Sequence, residues 1–127
     1  MSQRCVLVVE DDTDCREAFA DVLYEAGYVV LMAREGLTAL ELLQASAKPP
    51  DLMLLDIMMP ELDGYALLSE LGKSARGQIP TLVCSASEGP KKSWPNVRGF
   101  LRKPVQVEEL IETVSKCLAD SPHRVID

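Results

Sequence analysis

Short apolar runs of strand length alternate with amphipathic stretches of helical period along most of this chain. The first run, Arg4-Cys5-Val6-Leu7-Val8-Val9, stops at three acids, Glu10, Asp11 and Asp12. Thr13 or Asp12 then caps a helix, since short polar side chains accept the free N–H groups of a first turn. That helix spaces Phe19, Val22, Leu23 and Ala26 at intervals of 3, 4 and 7 and stops at Gly27. Tyr28 to Met32 predicts a second strand. Gly36 to Ala47 predicts a helix with Leu37, Leu40 and Leu42 or Leu43 inward, closed by Lys48-Pro49-Pro50.

The stretch Asp51 to Gly64, DLMLLDIMMPELDG, opens with Leu52 to Leu55, the signature of a strand buried on both faces. It ends on Asp56, and Pro60 and Asp63-Gly64 supply turn chemistry. A carboxylate at the end of a buried strand is costly unless it is paired, metal-bound or edged into a cleft. A helix with Tyr65, Leu67, Leu68 and Leu71 follows, ended by Gly72. Ile79 to Ser85 predicts a fourth strand that finishes on a hydroxyl. Glu88 to Arg98 is irregular, with Gly89, Pro90 and Pro95 in it and only Trp94 and Val97 as large apolar residues. Gly99-Phe100-Leu101 predicts a short fifth strand before Lys103-Pro104. The last helix, Val107 to Ala119, aligns Leu110, Ile111, Val114 and Leu118, and residues 121–127 form a polar tail.

Strands alternating with helices five times imply an α/β fold with one parallel sheet covered on both faces. In such sheets the crevice lies beyond the carboxyl ends of the strands. Glu10, Asp11 and Asp12, then Asp56, Ser85 and Lys103, are the polar groups that close strands one, three, four and five. They are expected to converge on one rim.

Composition narrows the picture further. The 127 residues suit one domain, 47% hydrophobic and 26% charged, with no apolar run of membrane-spanning length. No charged start followed by an apolar core opens the chain, so a cytoplasmic location is expected. The net charge of −7 argues against direct nucleic-acid binding. Cys5, Cys15, Cys84 and Cys117 lie far apart without a CxxC pairing, which reads as reduced packing residues. His123, the one histidine, stands in the tail, which disfavours histidine catalysis or a zinc cage.

Packed carboxylates cannot all stay ionised without a cation among them. Their hard oxygens suit Mg²⁺. Asp56 is then the natural nucleophile, because a carboxylate ionised at neutral pH attacks a phosphoryl group without a general base. Lys103 supplies a second positive charge and the Ser85 hydroxyl a hydrogen bond.

These residues resemble the receiver domains of two-component response regulators. VLVVEDD, LLDIMMPELDG, Ser85-Ala86 and Lys103-Pro104 stand in that family's order, and the resemblance covers Arg4 to about Ala119. It implies a single flavodoxin-like domain, (βα)5, over residues 1–120, with strand order 2-1-3-4-5 and a C-terminal tail over 121–127. It makes Asp56 the phosphoacceptor, fed by a sensor histidine kinase or histidine phosphotransfer protein. Glu10 and Asp11 match the acidic pair that holds Mg²⁺, with Asp56 and the Met58 carbonyl completing the protein ligands. Ser85 and Lys103 match the residues that engage the phosphoryl group. Phe100 matches the aromatic that turns inward with Ser85 in the switch, and Lys103-Pro104 matches a bond usually cis. On this reading the chain is no enzyme in the ordinary sense, since it catalyses only its own Mg²⁺-dependent phosphorylation and dephosphorylation.

Two departures from the pattern alter the expected output. The interval from Ser85 to Lys103 is about one helical turn shorter than usual, and Pro90 and Pro95 stand where the family places its fourth helix. A shortened or irregular helix is expected there, with Trp94 as a packing anchor or a partner contact, and a weak homodimer stays open. No effector module follows the last helix, so output to an unnamed protein by direct contact is expected, unless the chain is a fragment. Two rival readings are a receiver that works without phosphate and, more remotely, a phosphatase with an aspartyl nucleophile. The second would want an acid where Met58 stands.

Overall fold

The structure, a computed structural model, describes residues 3–45, 48–57, 66–67, 69, 79–86 and 96–120. Five strands and three long helices alternate through these residues. They are β1 (Cys5–Val9), α1 (Thr13–Glu25), β2 (Val29–Ala33), α2 (Gly36–Ala45), β3 (Leu52–Asp56), β4 (Thr81–Ser85), β5 (Val97–Arg102) and α3 (Val107–Asp120). Ala66, Leu67 and Ser69 are also helical. The strands form one parallel sheet in the order β2-β1-β3-β4-β5, as the resemblance implies.

Burial follows position in the sheet. Every residue of the central strands β3 and β4 is buried, and so is β1 from Val6 onward. Strands covered on both faces must be apolar on both, which is why they read as unbroken runs. Odd-numbered residues Leu7, Val9, Met53 and Leu55 pack on Ala39 and Leu43 of α2 and on Leu67. Even-numbered residues Val6, Val8, Leu52 and Leu54 pack on Phe19 and Leu23 of α1 and on Leu110 and Val114 of α3. Each such aliphatic side chain removed from water contributes roughly 1.5–3 kcal/mol. The result is three layers, helix on sheet on helix.

Local chemistry ends the elements where they are needed. Asp12, rather than Thr13, is the N-cap of α1, its side chain accepting from the Cys15 N–H at 3.1 Å. At the other end Gly27 stands at φ +101°. Its N–H donates to the Tyr24 carbonyl at 3.0 Å, and the Tyr28 N–H donates to that of Leu23 at 3.1 Å. That pair of bonds is a Schellman closure, which needs a left-handed residue after the cap. Asp51 ties the amino ends of two strands, its carboxylate accepting from the Cys5 N–H at 2.8 Å while its own N–H donates to the Cys5 carbonyl, also at 2.8 Å.

Several boundaries and faces differ from those expected. Strand β2 starts one residue later, because Tyr28 is spent on closing α1. Ala26 is exposed at the cap instead of buried on the helix face. Leu37, expected inward, is 48% exposed. Helix α2 buries Gly36, Ala39 and Leu43, and Leu37 lies about 100° around the axis from Gly36. Ile111 is half-buried at the margin of α3, where Cys117 joins the buried face instead. Strand β5 is longer than Gly99–Leu101 and takes in Val97 and Arg98. Val97 pairs with Thr81 and Gly99 with Leu82, so an irregularity in the ladder absorbs Arg98. Gly99 is also where β5 comes close to its neighbours, since a Cβ there would meet Leu82 Cδ1 at 3.2 Å.

The Met58 carbonyl, the turn at Pro60 to Gly64, most of the helix after it, Pro90, Trp94, Pro95 and the tail with His123 lie outside the described residues. Among the described residues no helix is long and apolar enough to cross a membrane.

Candidate functional site

Parallel register brings the polar strand endings together. Val9 pairs with Leu55, Asp56 with Cys84, and Ser85 with Arg102. The next residue of β1 is therefore Glu10 beside Asp56, and the next of β5 is Lys103, one position beyond the partner of Ser85. The Lys103 N–H donates to the Ser85 carbonyl at 2.9 Å, and the Glu10 N–H to the Ala33 carbonyl at 3.0 Å. Five adjacent strands thus hold one rim in place through backbone bonds.

Carboxylate oxygens of Glu10, Asp11 and Asp56 lie within 4.8 Å of one another. Glu10 is 1% exposed and Asp56 6%, whereas Asp11 is open to solvent. The Lys103 ammonium sits between the buried pair, 2.6 Å from Glu10 Oε1 and 3.4 Å from Asp56 Oδ2. Glu10 Oε2 accepts from the Asp12 N–H at 3.2 Å. Ser85 is wholly buried one residue beyond Asp56's neighbour Cys84. Phe100 of β5, paired with Val83 of β4, is 36% exposed. The Lys103-Pro104 bond is cis.

The electrostatics follow from this packing. Burial raises the Glu10 carboxyl above its usual range; Lys103 pulls it back down, and Asp56 pushes it up again. Burial alone would lower the Lys103 ammonium. The hydrogen bond and charge of Glu10, helped by Asp56, overcome that and raise it. Two thiols border the cluster, and both are pushed up to about 12. Burial is the main cause for each, with the charge of Glu10 next for Cys15 and Lys103 opposing the rise at Cys84. Cys84 and Cys117 are buried and Cys5 and Cys15 half-buried.

Three carboxylates against one ammonium leave an excess of negative charge in a small space. The donors are all hard oxygens, two of them on buried residues and one open to water. That set fits Mg²⁺, which keeps several waters and takes one or two carboxylates. Hard carboxylate oxygens suit a soft metal poorly.

Asp12, one of the two cap candidates in the sequence, serves the helix cap, and its side chain is not among the clustered carboxylates. Arg16 is a residue of the site that the sequence pattern did not single out. Its Nη1 donates to the Glu10 carbonyl at 2.9 Å and, at 3.4 Å, to that of Asp11, while Nη2 reaches Thr13 Oγ1 at 3.3 Å. A signal was present, since a cation in the first turns of a helix opposes the helix dipole and asks for a partner.

Comparison with known proteins agrees with this geometry. The model of the response regulator receiver domain matches residues 6–115. The chain belongs to that family, a family of signalling domains within two-component systems. It is 35% identical over 109 residues to the two-component response regulator ARR10 of Arabidopsis thaliana, covering 83% of this chain and 19% of that protein. It is 34% identical over 110 residues to the response regulator MprA of Mycobacterium ulcerans, covering 84% of this chain and 46% of that protein. The chain thus spans less than half the length of these two relatives. Among solved structures, chemotaxis protein CheY4 of Vibrio cholerae superposes with a TM-score of 0.82 at 26% identity, over 91% of this chain and 99% of that one. The receiver domain of Francisella response regulator 1452 gives 0.80 at 28% identity, over 92% and 98%.

Proposed function

We propose that this chain is a phosphorylation-controlled signalling switch in which Asp56 accepts a phosphoryl group from a phosphohistidine. The donor is a sensor histidine kinase or a histidine phosphotransfer protein, and the chain then changes its contacts with an output protein. The observation that carries the reading is the near-buried Asp56 carboxylate, clustered within 4.8 Å with oxygens of Glu10 and Asp11 and 3.4 Å from the Lys103 ammonium.

An Asp56 oxygen attacks phosphorus, an O–P bond forms, and the P–N bond to the donor imidazole breaks. The imidazole leaves with the bonding electrons and takes a proton. Glu10, Asp11, Asp56 and the Met58 carbonyl would hold Mg²⁺, which supplies positive charge against the transferring oxygens. Lys103, already seated between Glu10 and Asp56, moves its charge toward the phosphoryl oxygens as they arrive. The same residues return the phosphoryl group to water, so the chain catalyses only its own modification.

The switch itself is a local charge event with a distant readout. The phosphoryl oxygens draw the Ser85 hydroxyl, and Phe100, partly exposed on the edge strand β5, turns into the space released. Residues 1–120 act as the receiver unit and 121–127 as a tail. A cytoplasmic location and the absence of direct nucleic-acid contact belong to the same reading.

The test is an intact-mass time course with acetyl phosphate, with and without Mg²⁺, on the wild type and Asp56→Ala. A gain of one phosphate that needs the metal and disappears in the variant is expected. A protein that never gains mass would be a phosphate-independent interaction module. Sustained hydrolysis of a phosphomonoester would make it a phosphatase.

A further inference from the structure

The two residues that carry the acidic pair, Glu10 and Asp11, lie between the last residue of β1 and the N-cap of α1. Their side chains meet Asp56 at the rim, and their carbonyls both accept from one guanidinium. Arg16 Nη1 is 2.9 Å from the Glu10 oxygen and 3.4 Å from the Asp11 oxygen, and Nη2 is anchored on Thr13 Oγ1 at 3.3 Å. Arg16 itself is rooted in α1 through its N–H to the Asp12 carbonyl at 2.9 Å and is half-buried. Nη1 serves both carbonyls while the second arm of the planar fork, Nη2, ties the group to Thr13; a lysine ammonium has a single nitrogen and no rigid second arm to keep that tie.

We propose that Arg16 is a positioning residue for the divalent-cation site, holding the Glu10–Asp11 backbone so that both carboxylates stay aimed at Asp56 before any metal arrives. The inference rests on the metal-binding part of the reading above and not on phosphoryl transfer. Clustered carboxylates repel, so an unclamped loop relaxes by turning an acid outward. Binding a cation must then re-order it, and that cost appears as lost affinity. Partners that orient ligands in this way typically change metal affinity about 10- to 100-fold when removed.

The sign of the effect separates positioning from charge. Arg16 is a cation near a cation site, so deleting its charge alone should tighten Mg²⁺ binding. Loss of positioning should weaken it.

The experiment is Mg²⁺ titration by calorimetry of the full chain, wild type, Arg16→Ala and Arg16→Lys, in the absence of any phosphodonor. Thermal melts without metal run in parallel. Expected is about a tenfold or greater weakening in Arg16→Ala, with at most partial recovery in Arg16→Lys, and a metal-free melt close to wild type. In acetyl phosphate labelling, the Mg²⁺ concentration giving half-maximal rate should rise while the saturating rate holds. Unchanged or tighter Mg²⁺ binding in Arg16→Ala would overturn the proposal, as would full rescue by Arg16→Lys or a wild type that binds no Mg²⁺. A wild type that binds Mg²⁺ yet never gains phosphate would overturn the phosphoacceptor reading instead and leave the role of Arg16 standing on the titration.

Discussion

Lys103 Nζ and Glu10 Oε1 lie 2.6 Å apart, joining residues that are 93 positions apart in the chain. The pair closes the rim between β1 and β5, two strands that are not neighbours in the sheet. With one ammonium serving two largely buried carboxylates, the pair is an electrostatic centre of the fold as well as part of its chemistry.

That relationship sets an alkaline limit to stability. The folded-state value of Lys103 is raised by its acidic partners, so the folded protein holds this proton more tightly than the unfolded chain. Its contribution is fully present below an ordinary lysine value of about 10.4 and is lost as pH rises through the folded value. Denaturation of the wild type and of Lys103→Gln should therefore differ by a constant amount below about pH 10, over the range in which Glu10 and Asp56 are ionised. The difference should shrink above about pH 10.5. A gap that persists unchanged to higher pH would contradict this.

Asp56 should make the metal-free protein less stable. Its charge pushes Glu10 upward, and one ammonium cannot neutralise three acids. Removing one charge in Asp56→Asn should raise metal-free stability by about 1 kcal/mol, or roughly 3–5 °C in melting temperature. Saturating Mg²⁺, near 100 times its Kd, should stabilise the wild type by about 2.7 kcal/mol and the variant by less. A lower melting temperature in the metal-free variant would mean that the Lys103 bond to Asp56 outweighs the repulsion.

Cys84 neighbours the site without being available to it. The thiol is buried and pushed up to about 12, so almost none is thiolate at neutral pH. Iodoacetamide at pH 7.5 should leave Cys84 unmodified in the native protein over hours and modify it quickly in urea, as peptide mass mapping would show. Rapid native labelling at Cys84 would refute the assignment of a packing role.

Gly27 is required by its backbone. With φ at +101° and no atom within 4 Å of an added Cβ, substitution meets conformational strain and no clash. Gly27→Ala should cost about 1–2 kcal/mol in urea unfolding, with an unchanged denaturant slope. A neutral effect would mean that the closure of α1 relaxes into another turn.

The order of elements, the parallel sheet and the acids at the strand ends were legible in the chain by itself. Central strands such as Leu52–Asp56 are buried on both sides, so their apolar character is continuous and their polar terminus conspicuous. Gly27 was legible because only a left-handed residue ends a helix that way. The tertiary structure decided the rest, for reasons of register and reach. Leu37 points outward because the sheet selects the face of α2 that runs through Gly36, Ala39 and Leu43. Strand β5 begins at Val97 because its ladder with β4 shifts between Thr81 and Leu82. Asp11 and Asp12 are adjacent acids, but hydrogen-bond geometry at the start of α1 sends one to the cluster and the other to the cap. The span of Lys103 across to Glu10, and that of Arg16 back to two carbonyls, depend on side-chain length and strand order together. Periodicity along a chain carries neither.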